Sequence, residues 1–121
     1  MAGAGRGGMD GGMDGGAFLK SVSEGVFRVP WCAACSIPVW PPAPRCGRCT
    51  GPAGLRDGEP EGLVLEASGA AGTRFGLVDL GEGVRILAEL GGRAAVGSRV
   101  RVTSCGVRDG RPYYVASDAW M

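Results

Sequence analysis

Cys32-Ala33-Ala34-Cys35 and Cys46-Gly47-Arg48-Cys49 enclose the stretch Ser36-Ile37-Pro38-Val39-Trp40-Pro41-Pro42-Ala43-Pro44-Arg45, and its reading decides the fold of the first half of the chain. Two CxxC pairs ten residues apart supply four soft sulfur donors, the set a tetrahedral zinc ion takes at about 2.3 Å. A redox pair, an iron site or structural disulfides would use the same residues. Spacing and ligand softness favour zinc, bound by Cys32, Cys35, Cys46 and Cys49. Four thiolates fill the coordination sphere, so the expected metal is structural and contributes to folding. Pro38, Pro41, Pro42 and Pro44 exclude helix from the connector and restrict the unfolded loop. Gly47 offers a position for a tight or positive-φ turn. Trp31 and Trp40 flank the pairs and are expected to pack over a ribbon otherwise poor in core.

Working outward, Phe18, Leu19, Val22 and Val26 recur at helical spacing, which predicts a short helix over Ala17–Phe27, ended or frayed at Gly25. So short a helix needs a surface to lie on, either its own domain or a partner. Met1 to Gly16 repeats Met-Asp-Gly-Gly at Met9 and Met13; with little apolar area to offset glycine's entropy it reads as a disordered tail. On the other side, Gly51 to Pro60 is polar and rich in Gly and Pro, and reads as a linker.

From Gly62 onward the pattern is that of strands: Leu63-Val64-Leu65, Phe75–Leu80, Val84–Leu90, Arg99–Ser104 and Tyr113–Ala116. Turn signals separate them at Gly69–Gly72, Gly81-Glu82-Gly83, Gly91-Gly92 and Asp109-Gly110, the last a strong hairpin signal. Helix propensity competes over Val84–Leu90, but the flanking glycines favour strand. Five short strands fit a small barrel that closes its own edges.

Composition limits the chemistry. The chain of 121 residues contains no histidine, which removes the commonest general base and every Ser-His or Cys-His pair. Cys105, outside both pairs, follows a strand and reads as a small buried hydrophobe. No catalytic residue is assigned. With 13 basic and 12 acidic residues, net charge +1, a broad nucleic-acid surface is not expected. In the second half Arg74, Arg85, Arg93, Arg99, Arg101, Arg108 and Arg111 are matched by Glu61, Glu66, Asp79, Glu82, Glu89, Asp109 and Asp118. Arginine suits phosphate recognition, so a phosphate-bearing ligand at a local cluster stays open. Only Phe75, Tyr113, Tyr114 and Trp120 are placed to stack bases. No apolar run reaches the roughly 20 residues needed to span a bilayer. No secretory signal is evident, and reduced cysteines fit a cytoplasmic setting.

Taken in order, these features resemble the zinc-ribbon and OB-fold proteins that accompany thiolase-superfamily enzymes in archaea and in bacterial acyl-CoA and sterol side-chain degradation. Phe18-Leu19-Lys20 through Glu24-Gly25 looks like the family's N-terminal helix. Cys32 to Cys49, with Pro41-Pro42 and Arg45, looks like its ribbon. Gly76-Leu77-Val78-Asp79-Leu80-Gly81-Glu82-Gly83-Val84-Arg85-Ile86-Leu87 and Val96-Gly97-Ser98-Arg99-Val100-Arg101-Val102 look like strands of its OB domain. The likeness covers roughly residues 17–117; the segment from Ser68 to Thr73 is shorter than in many relatives. With the Gly-rich tail (1–16), which has no counterpart in the family and reads as disordered from its composition, it implies a mainly β chain: a docking helix (17–28), a rubredoxin-like zinc ribbon and linker (29–60), and a five-stranded OB-fold barrel (61–121). The resemblance also implies a non-catalytic scaffold subunit, with structural Zn2+, a thiolase partner, hydroxymethylglutaryl-CoA synthase as a second partner, and a shared contact with CoA. A nucleic-acid-binding ribbon and barrel is the alternative.

Overall fold

The computed structural model describes residues 16–118. The expected Gly-rich tail, apart from Gly16, and Trp120 lie outside the described residues. The chain divides into two compact units, the first ending at Gly58 and the second beginning at Glu59.

In the first unit Gly16–Ser23 form helix α1. It stops four residues short of the expected Phe27, because Gly25 takes φ 78° and two reversed hydrogen bonds close the end. Gly25 N–H donates to Val22 C=O (2.9 Å) and Val26 N–H to Ser21 C=O (3.0 Å), the paired bonds of a Schellman cap. The Ser21 hydroxyl, buried at 3% exposure, donates to Val26 C=O at 2.7 Å, so its burial leaves no unmet donor. Val26, expected on the helical face, therefore lies beyond the helix and is exposed. Phe18 and Val22 are buried, and the Phe18 ring meets Trp40 edge-on, centroids 5.8 Å apart. Of the two surfaces weighed for this helix, its apolar face covers its own unit.

The ribbon sheet is β1 (Arg28–Cys32), β2 (Ile37–Pro38) and β3 (Gly54–Asp57), ordered β2-β1-β3 and antiparallel throughout. Strand β3 falls inside the stretch expected to be a linker. Leu55 is its only large apolar residue, so no alternation announces it. The ladder Arg28↔Asp57 to Trp31↔Gly54 holds it, with Arg28 Nε 3.4 Å from Asp57 Oδ1 and the Arg56 guanidinium 4.1 Å from the Trp31 ring centroid. The peptide bond between Trp40 and Pro41 is cis.

The second unit is β4 (Glu61–Ala70), β5 (Thr73–Asp79), β6 (Arg85–Gly91), β7 (Arg99–Arg108) and β8 (Arg111–Ser117). These close as β4-β5-β6-β8-β7, with β7 pairing back onto β4: the five-stranded barrel expected. All neighbours are antiparallel except β6 and β8, which run parallel, a pairing that needs the crossover through β7. Alternation sends Val78, Ile86, Ala88, Leu90, Val100, Tyr114 and Ala116 inward, and the competing helical reading of Val84–Leu90 fails. Ladder shifts at Val64/Glu66 and Val102/Ser104 bend β4 and β7 as closure requires. Gly76 is needed for close packing: a Cβ there would sit 2.8 Å from Leu90 Cδ1 and 3.0 Å from Glu66 O. The β4–β5 and β7–β8 hairpins turn on Ala71-Gly72 (φ 53°, 82°) and Asp109-Gly110 (φ 54°, 76°), two positive-φ residues each, as two-residue I′ turns require. Strands β4, β7 and β8 all run longer than their apolar cores suggested.

Candidate metal centre

Strand β1 delivers Cys32 at its end, and the reversal into β2 brings Cys35 beneath it. The second knuckle is tied by Cys46 N–H donating to Gly51 C=O (2.9 Å) and Thr50 N–H donating to Cys46 C=O (2.9 Å). Arg45 reinforces it, its guanidinium donating to Thr50 C=O at 3.0 Å. The four sulfurs of Cys32, Cys35, Cys46 and Cys49 come within 4.8 Å of one another, a group that could hold a metal ion. Cys32 and Cys46 are buried with Val39, against Ile37, Ala43 and Ala53; Cys49 is exposed.

The donor set fits zinc. Tetrahedral bonds of about 2.3 Å place sulfurs about 3.8 Å apart, and Cys32 Sγ lies 3.5 Å from Cys49 Sγ. A disulfide needs about 2.0 Å, and none of the five cysteines is in one. Backbone amides aim at three sulfurs: Cys35 N–H at Cys32 (3.4 Å), Arg48 N–H at Cys46 (3.3 Å) and Gly51 N–H at Cys49 (3.4 Å). Such donors favour thiolate over thiol. The amides of Cys49 and Arg48 lower the Cys46 thiol to about 7. Cys35 is pushed up to about 12, first by its hydrogen bond with the Cys49 sulfur, because neighbouring thiols cannot all ionise without a cation among them.

Gly47 lies in a tight turn over residues 47–49, as expected, but without a positive φ. The residue after each second cysteine takes the left-handed conformation instead, Ser36 at φ 56° and Thr50 at φ 61°. Two knuckles thus share one backbone shape through residues that carry no turn signal for it.

Cys105 is half-buried on β7, opposite Tyr114, and burial raises its thiol. Burial, and the nearby Cys105, raise Tyr114 as well. Both are poor candidates for chemistry at neutral pH. Tyr114, 5% exposed, faces the core, which removes it from the expected stacking rings; Phe75 and Tyr113 remain at the surface. Of the seven arginines, Arg74 is spent on the fold, its guanidinium donating to Ala94 C=O and to Gly92 C=O (3.2 Å). Arg101 pairs with Glu61 across strands at 3.4 Å. No described helix is long and apolar enough to cross a membrane.

Comparison with known proteins supports the fold. No family model matches the sequence, and no curated protein matches it. Among solved structures the chain is similar to one described as an Ltp2-ChsH2(DUF35) aldolase, at 19% identity and a TM-score of 0.71, covering 93% of this chain and 98% of that one. At that identity the likeness is one of fold, and it extends over nearly the whole of both chains.

Proposed function

We propose that this chain is a zinc-stabilised, non-catalytic partner subunit of an enzyme that makes or breaks a carbon–carbon bond in an acyl-CoA. The observation that carries the proposal is the end-to-end likeness to a chain of an Ltp2-ChsH2(DUF35) aldolase, whose name joins two components and an activity. The sequence resemblance points to a thiolase-superfamily partner, with hydroxymethylglutaryl-CoA synthase as a second. Thiolases, these synthases and aldolases share carbon–carbon bond chemistry. The residues agree: the chain has no histidine, Cys105 is held protonated, and its four clustered thiols would leave zinc no open position. In this reading Cys32, Cys35, Cys46 and Cys49 bind Zn2+, which cross-links the two knuckles. The complex works in the cytoplasm, with CoA in contact with both subunits.

The test is affinity capture from native cell extract at moderate salt, with mass spectrometry of the bound proteins. The expected result is a thiolase, synthase or aldolase in near-stoichiometric amount, with no turnover of acetoacetyl-CoA by the isolated chain. Recovery of RNA-binding proteins that vanish after nuclease treatment would overturn the reading.

A further inference from the structure

Of the four clustered thiols, Cys49 is the one at the surface; Cys32 and Cys46 are buried and Cys35 is half-buried. The chain keeps the Cys49 sulfur open. Position 51 is glycine, and a Cβ there would stand 3.3 Å from Cys49 Sγ. Gly51 does not take a left-handed φ, so the backbone does not demand glycine at that place. What the missing side chain provides is access to the sulfur. Gly47, in the same turn as Cys49, likewise has open space where a side chain would be.

The exposed sulfur has a buried one close by. Cys32 Sγ lies 3.5 Å from Cys49 Sγ, and the two come from different knuckles, 17 residues apart. Arg45 and Arg48 are the only charged residues between Cys32 and Gly51, so the loop carries no carboxylate. An accessible sulfur in an electropositive setting, with a second thiol beside it, is the arrangement of a reversibly oxidised cysteine.

We propose that Cys49 is a site of reversible oxidation by hydroperoxides, with Cys32 as its resolving thiol. The Cys49 sulfur attacks the near peroxide oxygen, the O–O bond breaks, and the far oxygen takes a proton and leaves as water or an alcohol. Cys49 is then a sulfenic acid. The Cys32 sulfur displaces its hydroxyl, an S–S bond forms, and water leaves. Two thiols have lost two electrons and two protons, and one hydroperoxide has gained them. The sulfurs need close only from 3.5 Å to about 2.0 Å. A thiol so near also diverts the sulfenic acid from irreversible oxidation to the sulfinic acid. Cys35 and Cys46 then remain as two donors where zinc takes four, too few to hold the ion. The new bond joins the same two knuckles, and a dithiol reverses it by exchange. The proposal goes beyond the partner reading and rests on the zinc assignment only for the release of metal.

The experiment treats the full zinc-loaded chain with hydrogen peroxide, after its zinc content has been read by atomic absorption. Release is followed with a colorimetric zinc indicator. The cysteines are mapped by mass spectrometry, with dimedone in a parallel sample to trap sulfenic acid. The expected result is stoichiometric zinc release with a Cys32–Cys49 disulfide, reversal by dithiothreitol, and a dimedone adduct on Cys49. Cys105, half-buried on β7, should stay reduced. Cys49→His keeps four donors and should lose the fast phase of release. Gly51→Ala should slow that phase with zinc content unchanged, a shift that a purely structural role for Cys49 would not give. Cys32→His should let the dimedone-reactive form of Cys49 accumulate. A disulfide confined to one knuckle, first oxidation at Cys35 or Cys46, or a release rate unmoved by both Cys49→His and Gly51→Ala overturns the proposal. A chain found to carry no zinc overturns the metal assignment instead, and disulfide mapping on that chain still decides the site of oxidation.

Discussion

The two units are held together by different means. The barrel is closed by a continuous ladder and filled by Val64, Val78, Ile86, Val100 and their neighbours, so hydrocarbon burial alone can account for its order. The ribbon has three short strands, one of them two residues long, and its buried cluster consists of Cys32, Cys46 and Val39. Thiols thus occupy the place that leucine or isoleucine holds in a larger core. A sheet of that size cannot offset the entropy of its own ordering without a cross-link. The lesson is that the chain pairs a self-sufficient unit with a conditional one. Local stability should follow metal in the first and packing in the second.

The strongest way to break that comparison is to remove the metal. A structural zinc supplies on the order of 10 kcal/mol of folding free energy to a small ribbon. Cys46→Ser, or a chelator, should therefore unfold the first unit while the barrel persists. Hydrogen exchange resolved by residue checks this: amides of β1 and β3 should lose protection while those of β5 and β6 keep it. Equal loss in both units would show that the barrel depends on the ribbon. The converse variant is Ile86→Ala, which empties a position 3% exposed in the barrel and should cost about 2–5 kcal/mol. Denaturant melts should show the barrel transition shifted and zinc retention unchanged.

Acid sharpens the contrast further. Zinc competes with protons for thiolates, so affinity falls with pH by up to about tenfold per pH unit for each thiol that must ionise. Cys46 is lowered in the folded chain from 9.0 to about 7. In the metal-free chain its thiolate therefore contributes stability above pH 9 that is lost as pH falls through about 7. Titration from pH 8 to pH 5 in the presence of a zinc indicator should release metal and melt β1 and β3 first. Barrel amides should hold across that range, since its exposed ion pair, Arg101 with Glu61, contributes little.

What the sequence made legible follows the same division. The cysteine spacing encodes the metal set directly, because two knuckles of fixed geometry need two fixed spacings. Barrel strands were legible because inward positions alternate along β5, β6 and β8. Strand β3 was not, since Gly54, Arg56 and Asp57 pair through backbone and charge and carry no apolar period. The helical spacing overruns the true end of the helix because Val26 continues it after Gly25 has closed the last turn. A cleft on the outside of the barrel was beyond reach for a further reason. Phe75, Leu87, Arg108 and Tyr113 line it from four different strands, and only the ladder register brings them to one wall.

The smallest expected effect bears on how the two units make their turns. In the barrel each left-handed non-glycine residue, Ala71, Glu82 and Asp109, is followed by a left-handed glycine, Gly72, Gly83 and Gly110, so half of each turn carries no penalty. In the ribbon Ser36 and Thr50 stand alone at left-handed φ, with no left-handed glycine after them, at about 1–2 kcal/mol each. A β-branched threonine holds that shape only where its surroundings fix it: Thr50 N–H is bonded to Cys46 C=O, its C=O accepts from Arg45, and the cysteine beside it joins the thiol cluster. Thr50→Gly should relieve the strain and stabilise the ribbon by about 1 kcal/mol, read as slower zinc transfer to a chelator. Gly110→Ala, the inverse change in the barrel, should cost about the same 1 kcal/mol and leave that transfer rate alone. If Thr50→Gly speeds zinc loss instead, the 2.6 Å bond from the Thr50 hydroxyl to Cys49 C=O matters more than the backbone, and the knuckle is held by its side chains.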